Sequence, residues 1–248
     1  MRSRYLDNVS RMTTAGLNLL ISDKPDVERD ALADVFAARG GEVHRIGRFW
    51  DPPRFEPQTI RVYGADSFCL VLQQKLGFEL CSPEDDLIQE VSPPFLRRTL
   101  ARSTLAAAAR MIFPVFVKPT VPKQFRGAVY ASYDSLADEC RGLTSDAAVF
   151  VSEPVKLAAE VRSFVLDGTV LDAAQYEGEA DLDAAIAFLN SLIPTVKLPR
   201  AVVIDAGFIV GRGWGVIEFN AAWGAGLNGC NPKKVLPAVL AASGPQTT

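Results

Sequence analysis

The stretch AVVIDAGFIVGRGWGVIEFNAAWGAGLNGCNP, residues 201–232, sets the reading of the whole chain. Its first part holds three short apolar, β-prone runs, at 201–204, 208–210 and 215–219, which read as neighbouring strands of a meander. Asp205 closes the first run. Glu218 lies in the third, with Asn220 at alternate spacing. Side chains two apart on a strand share a face, so Glu218 and Asn220 point the same way. Three oxygen donors on rigid strands suit Mg²⁺, a hard ion that takes carboxylates plus phosphate oxygens. The same three residues equally fit the solvent-facing polar positions of an antiparallel sheet. Beyond them, WGAGLNG at 223–229 fits either a backbone wall that lets a substrate approach closely or a tight loop before a closing helix over 233–242.

Upstream, EVRSFV at 160–165 alternates polar and apolar residues, and Asp167-Gly168 separates it from a return strand over 169–176. That is a hairpin signal. Glu160 and Arg162 share a face, as an ion pair on the sheet surface or as a ribose contact and a phosphoryl-neutralising cation. AVFVSEPV, at 148–155, runs from a buried strand into a polar Ser-Glu-Pro. It suits a link between two lobes that presents its backbone, with Glu153, to a base. VFVK at 115–118 is a strand ending at Lys118, and TVPKQFRG at 120–127 adds Lys123 and Arg126. Three cations so close fit an anion site or a solvated loop. FLRRTLARSTLAAAAR, 95–110, is rich in Ala and Leu and predicts a helix.

Further upstream the elements alternate. Strands are expected over 17–22, 42–46 and 60–62, with a helix over 26–39 stopped by Gly40-Gly41. Residues 67–72 are β-prone or begin a helix reaching Lys75, and a short helix over 85–91 ends at Ser92-Pro93-Pro94. This is an α/β pattern with a boundary near residue 93. Residues 1–14 read as a disordered extension and 244–248 as a disordered tail.

Composition narrows the function classes. The net charge of −3 and the absence of a basic block argue against nucleic acid. No apolar run approaches the roughly 20 residues of a membrane helix. Four scattered cysteines (Cys69, Cys81, Cys140, Cys230) and a single histidine, His44, give little support for zinc. They read as reduced thiols of a cytoplasmic protein and a structural imidazole. One histidine also disfavours a Ser-His-Asp or Cys-His mechanism.

The order along the chain is a lysine-bearing strand, a linker strand with Glu, a Glu-x-Arg hairpin, a strand with Asp and a strand with Glu-x-Asn. In this order the sequence resembles the ATP-grasp superfamily, and within it the clade named for an arginine-to-lysine replacement. The matching segments are RFWDPP (48–53), VYGADSF (62–68), FVKPTVPKQFRGAVY (116–130), VSEPVKLAAEVRSFVLDG (151–168), VVIDAG (202–207) and VIEFNAAWGAGLNGCNP (216–232). The resemblance implies an α+β ATP-grasp fold of two α+β lobes, about 94–150 and 151–243, preceded by a small α/β N-terminal domain over 15–93. It implies ATP and Mg²⁺ as cofactors. Lys118 would contact the α- or β-phosphate, Glu153 and the backbone of Val155 the adenine, and Glu160 the ribose or substrate side. Arg162 would lie by the transferred phosphoryl, and Asp205, Glu218 and Asn220 would ligate the metal. The implied activity is carboxylate–amine ligation through an acyl phosphate, with small-molecule or peptide carboxylate and amine partners. A phosphotransferase and a non-catalytic ATP-binding module are the alternatives. One position departs from the pattern. Many ATP-grasp ligases carry an arginine two residues after the metal-binding Asn, where this chain has Ala222. Lys123, from the other lobe, is expected to take its place.

Overall fold

The computed structural model describes residues 12–121 and 123–245. The expected extension over 1–14 lies mostly outside these residues, but Thr14 is buried and its hydroxyl donates to the Phe36 carbonyl at 2.8 Å.

The chain opens with β1 (Asn18–Ser22), α1 (Val27–Ala38), β2 (Glu42–Ile46), β3 (Ile60–Val62) and α2 (Asp66–Leu76). The strands form a parallel sheet in the order β2-β1-β3. Asp26 caps α1 by accepting from the Arg29 amide, as an Asp before an apolar periodic run should. Residues 66–76 resolve to helix, closed by Gly77 in the left-handed region (φ 70°). His44 bonds Asn18 at 2.8 Å and packs edge-on against Phe55, a structural role.

Next come β4 (Glu79–Leu80), a 3₁₀ turn at Leu87–Glu90, and α3 (Pro93–Leu96). The helix expected over 95–110 does not form. Its residues split into the end of α3, β5 (Leu100–Thr104) and α4 (Leu105–Ala108). Arg97 takes a left-handed conformation (φ 57°) and stops α3, and Thr104 caps α4. Tertiary pairing overrides the propensity of the Ala- and Leu-rich run, because β5 gives an edge of β8 (Ala148–Ser152) a five-residue partner. With β6 (Val115–Pro119) and β7 (Ala128–Tyr130) these strands form an antiparallel sheet, β5-β8-β6-β7, backed by α5 (Tyr133–Glu139). Its core gathers Val117, Phe125, Leu136 and Val149.

The second lobe is a four-stranded antiparallel sheet, β10-β9-β11-β12, made of β9 (Leu157–Leu166), β10 (Thr169–Gly178), β11 (Ala201–Ile209) and β12 (Gly213–Asn220). Asp167 and Gly168 both take positive φ (46° and 72°), so the Asp-Gly hairpin forms as its sequence requires. The runs at 201–204 and 208–210 fuse into the single strand β11, where three short strands had been expected in all. α6 (Leu182–Leu192) covers one face of this sheet, through Val161, Val165, Val202 and Val216. α7 (Pro232–Ala241) lies on the other, and there Phe164 and Val203 join one core with β1, β3, α1 and α2. The N-terminal sheet and the large lobe thus share a core. The C-terminus adds to this join: β13 (Ser243–Gly244) pairs with β4, and the Ser243 hydroxyl accepts from the Val62 amide. Among the described residues no helix is long and apolar enough to cross a membrane.

Candidate functional site

Asp205 stands inside β11, not at its end, and is only 1% exposed. The register sets Arg162 of β9 opposite it on one side and Glu218 of β12 on the other. Three charged residues therefore occupy one rung and one face of the sheet. Glu218 reaches that face through a bulge. Ala206 pairs with Val216 but Asp205 pairs with Glu218, so Ile217 is an extra residue. In an unbroken ladder Asp205 would face Ile217, and Glu218 would point to the opposite, apolar side. The bulge also leaves strand carbonyls in need of donors. Arg98 supplies them, reaching the Val216 carbonyl at 2.5 Å and the Ile217 carbonyl at 3.4 Å.

The rung is tightly bonded. Arg162 grips Asp205 bidentately, Nε to Oδ1 at 2.9 Å and Nη2 to Oδ2 at 2.6 Å. The Asn220 amide donates to Asp205 at 3.2 Å and to Glu218 at 3.0 Å. From the other lobe, Lys118 of β6 places Nζ 3.5 Å from Glu218 Oε2. Burial pushes the Asp205 carboxyl above its ordinary pKa against the pull of the Arg162 guanidinium. Burial alone would lower Arg162, but the Asp205 carboxylate outweighs it and holds the guanidinium above its ordinary value. Two converging carboxylates and an amide, with the balance of ligands left to phosphate oxygens and water, is a donor set that fits Mg²⁺. A half-turn of the Asn220 amide would present its oxygen to the same place. Among the described residues no three His, Cys, Asp or Glu side chains gather to hold a metal.

Glu160 lies two residues before Arg162 on the same face, and its carboxylate accepts from the Tyr176 hydroxyl at 2.7 Å. Tyr176 is the extra residue of a second bulge, between Gln175 and Glu177, and the Arg162 guanidinium lies 5.9 Å from its ring centre. Sequence reasoning passed over Tyr176 because a lone tyrosine in a return strand carries no signal of a bulge.

Two expected site residues, Lys123 and Glu153, pair with side chains outside the rung. Lys123 pairs with Asp66, at the start of α2, at 2.7 Å, and is 68% exposed. It contacts no member of the rung. Glu153 is occupied by the protein. It accepts from the Thr99 amide at 2.8 Å and forms a two-bond ion pair with Arg212 at 2.9 Å each. Those Arg212 bonds hold the Glu153 carboxyl well below the usual range, at about 2. Glu153 therefore joins the edge of the small lobe to the β11–β12 turn, and Val155, two residues on, is half-buried. Ala222 is fully buried in the core shared with the N-terminal sheet.

The glycine-rich loop beyond Asn220 is clamped from the N-terminal side. Gly64 donates to the Trp223 carbonyl at 3.0 Å, the Tyr63 hydroxyl to Ala225 at 2.8 Å, and the Trp223 indole to Ser82 at 3.0 Å. On its inner side the Gly226 carbonyl accepts from Arg162 Nη1 at 3.0 Å.

Two lobes, with a charged rung on one and a lysine strand reaching it from the other, define the ATP-grasp architecture. Solved structures bear out the fold. A RimK domain ATP-grasp protein from Sphaerobacter thermophilus superposes with a TM-score of 0.60 at 18% identity, over 91% of this chain and 97% of that one. The N5-carboxyaminoimidazole synthase of Aspergillus clavatus, solved with ADP and 5-aminoimidazole ribonucleotide, gives 0.61 at 9% identity, over 93% and 78%. The ATP-grasp ligase PsnB, complexed with minimal precursor, Mg and ADP, gives 0.52 at 16%, over 93% and 99%. The chain belongs to the ATP-grasp domain family of the R2K clade, family 2, which residues 95–238, more than half its length, match. No curated protein matches the sequence significantly.

Proposed function

We propose that the chain binds Mg²⁺–ATP between its two lobes and forms an amide by joining a carboxylate to an amine. The observation that carries this reading is the Arg162–Asp205–Glu218 rung, with Asn220 beside it and Lys118 reaching it from the opposite lobe. Asp205, Glu218 and Asn220 would hold Mg²⁺, which supplies charge neutralisation between neighbouring phosphates. Lys118 binds the α- or β-phosphate as a point charge, and Arg162 takes the γ-phosphoryl. The backbone near Val155 meets the adenine, and Glu160, fixed by Tyr176, faces the ribose or the substrate.

A carboxylate oxygen of the substrate attacks the γ-phosphorus, the bond to the bridging oxygen breaks, and ADP leaves. The amine then attacks the acyl carbon, loses a proton and expels phosphate. Positioning and fixed cations supply the rate, with no side-chain nucleophile. One structural neighbour was solved with 5-aminoimidazole ribonucleotide and another with a precursor peptide, so free amino acids and peptides are the first acceptors to try.

The test is an ADP-release screen with Mg²⁺–ATP over amino acids and peptides, run beside Asp205→Ala and Glu218→Ala. Acceptor-dependent ADP release with an amide product, lost in both variants, supports the ligase. A phosphorylated product without amide makes the chain a phosphotransferase. One observation favours a third reading: buried Ala222 leaves the usual cation position empty and Lys123 is engaged by Asp66, an arrangement that suits a module that binds ATP without turnover.

A further inference from the structure

Glu28 lies in the first turn of α1, in the N-terminal part of the chain, yet it does not serve that helix. The cap is made by Asp26. Glu28 instead points to the glycine-rich loop, where its Oε2 accepts from the Leu227 amide at 2.8 Å. The carbonyl of the same peptide unit, that of Gly226, accepts from Arg162 Nη1 at 3.0 Å. A carboxylate, one peptide plane and a guanidinium therefore stand in line, and Asp205 holds the far edge of the guanidinium through Nε and Nη2.

We infer that Glu28 is a positioning residue for Arg162, acting through the single peptide unit that joins Gly226 to Leu227. This rests on the reading above, in which Arg162 meets the γ-phosphoryl. The physical reason is cooperative hydrogen bonding. A carboxylate accepting from a peptide N–H enriches the C=O of that peptide, which becomes a stronger acceptor for a cation. Asp205 alone fixes one edge of the guanidinium; the Gly226 carbonyl adds a third bond and fixes its outer corner. The loop is built for this. A side chain at Gly226 would put its Cβ 2.9 Å from Glu28 Oε2 and 3.8 Å from Arg162 Nη1. Any other residue there would press on the Glu28 carboxylate where it meets the Leu227 amide. The N-terminal sheet, through α1, thereby sets the aim of a residue in the nucleotide cleft.

The experiment compares dissociation constants of the full chain for Mg²⁺–AMPPNP and Mg²⁺–ADP by titration calorimetry, with melting temperatures measured alongside. With Glu28→Ala, the triphosphate analogue weakens about tenfold and the diphosphate by less than about twofold, because only the former meets Arg162. Glu28→Gln still accepts from Leu227 and stays within about threefold of the wild type for both nucleotides. In an Arg162→Lys background, Glu28→Ala adds nothing further. A merely structural Glu28 would weaken both nucleotides alike and lower the melting temperature, which overturns the inference. So does unchanged discrimination in Glu28→Ala, or an equal effect in the Arg162→Lys background. If the wild type binds neither nucleotide, the ATP reading itself falls, and that outcome is distinct from the others.

Discussion

In the large lobe, charge is taken inside the sheet: Asp205 is almost wholly buried, bonded twice by Arg162 and once by Asn220, and each member sits on a strand. In the small lobe, charge stays at the margin. Lys118 is half-buried at a strand end, Lys123 stands on an exposed loop, and where this lobe meets the β11–β12 turn of the other, Glu153 and Arg212 pair at the surface. The difference separates two jobs. Buried charges are costly unless paired, so the large sheet fixes a geometry. Exposed pairs contribute little to stability and can change partners when a ligand arrives.

Four experiments bear on this contrast, and the largest effect belongs to the buried pair. Arg162→Met leaves an unpaired carboxylate in the sheet and destabilises the fold by ~3–5 kcal/mol in urea unfolding. The double variant Arg162→Met/Asp205→Leu, which removes both charges, regains most of that loss. A single variant as stable as the wild type would show that water, not Arg162, satisfies Asp205. Second, Mg²⁺–ATP at 100 times its Kd raises the unfolding free energy by about 2.7 kcal/mol, and Glu218→Ala abolishes the rise while leaving the unliganded protein within ~0.5 kcal/mol. Third, Lys118→Ala weakens Mg²⁺–ATP about tenfold, or ~1.4 kcal/mol, with little change in melting temperature. A fall in melting temperature as large as that of Arg162→Met would erase the distinction between the lobes.

The smallest effect is that of Glu153. Its folded pKa lies below the ordinary value, with the Arg212 bonds as the main cause. Its contribution is therefore complete above the ordinary carboxylate pKa and is lost as the pH falls toward about 2. Because the pair is exposed, Glu153→Gln costs only ~0.2–1 kcal/mol at neutral pH and flattens part of the acid limb of the stability curve.

The fold was legible where local signals and tertiary pairing agree. The Asp-Gly turn, the strand over 148–152 and the helix expected over 26–39, observed as Val27–Ala38, all form where their residues predict. The helix over 95–110 did not, because Ala- and Leu-rich propensity carries no information that β8 lacks a neighbour. The candidate site was legible as a set of residue types: Arg162, Asp205, Glu218 and Asn220 do meet. Their partners were not. The Asp66–Lys123 pair and the Glu28–Leu227 bond join segments 57 and 199 residues apart, and nothing in either local sequence records the other. One clue was present and unread. Trp214 and Val216 are apolar at period 2, yet the next apolar residue on that side is Phe219, a change of phase that only an extra residue explains.

That extra residue makes the length of β12 a heritable setting. Every residue of the rung could be retained while one residue was inserted beside Ile217, and a bulge of the same size would then set Glu218 one place further along the ladder, opposite Ile204. Glu218 and Asn220 would then turn toward α6 and its apolar neighbours, and the nucleotide side of the sheet would lose two of its three oxygen donors. A one-codon insertion would do what no conservative substitution does: it would keep the composition of the site and erase its chemistry. Among related sequences, the count of residues between Asp205 and Glu218 is therefore as informative about activity as the identities at either end.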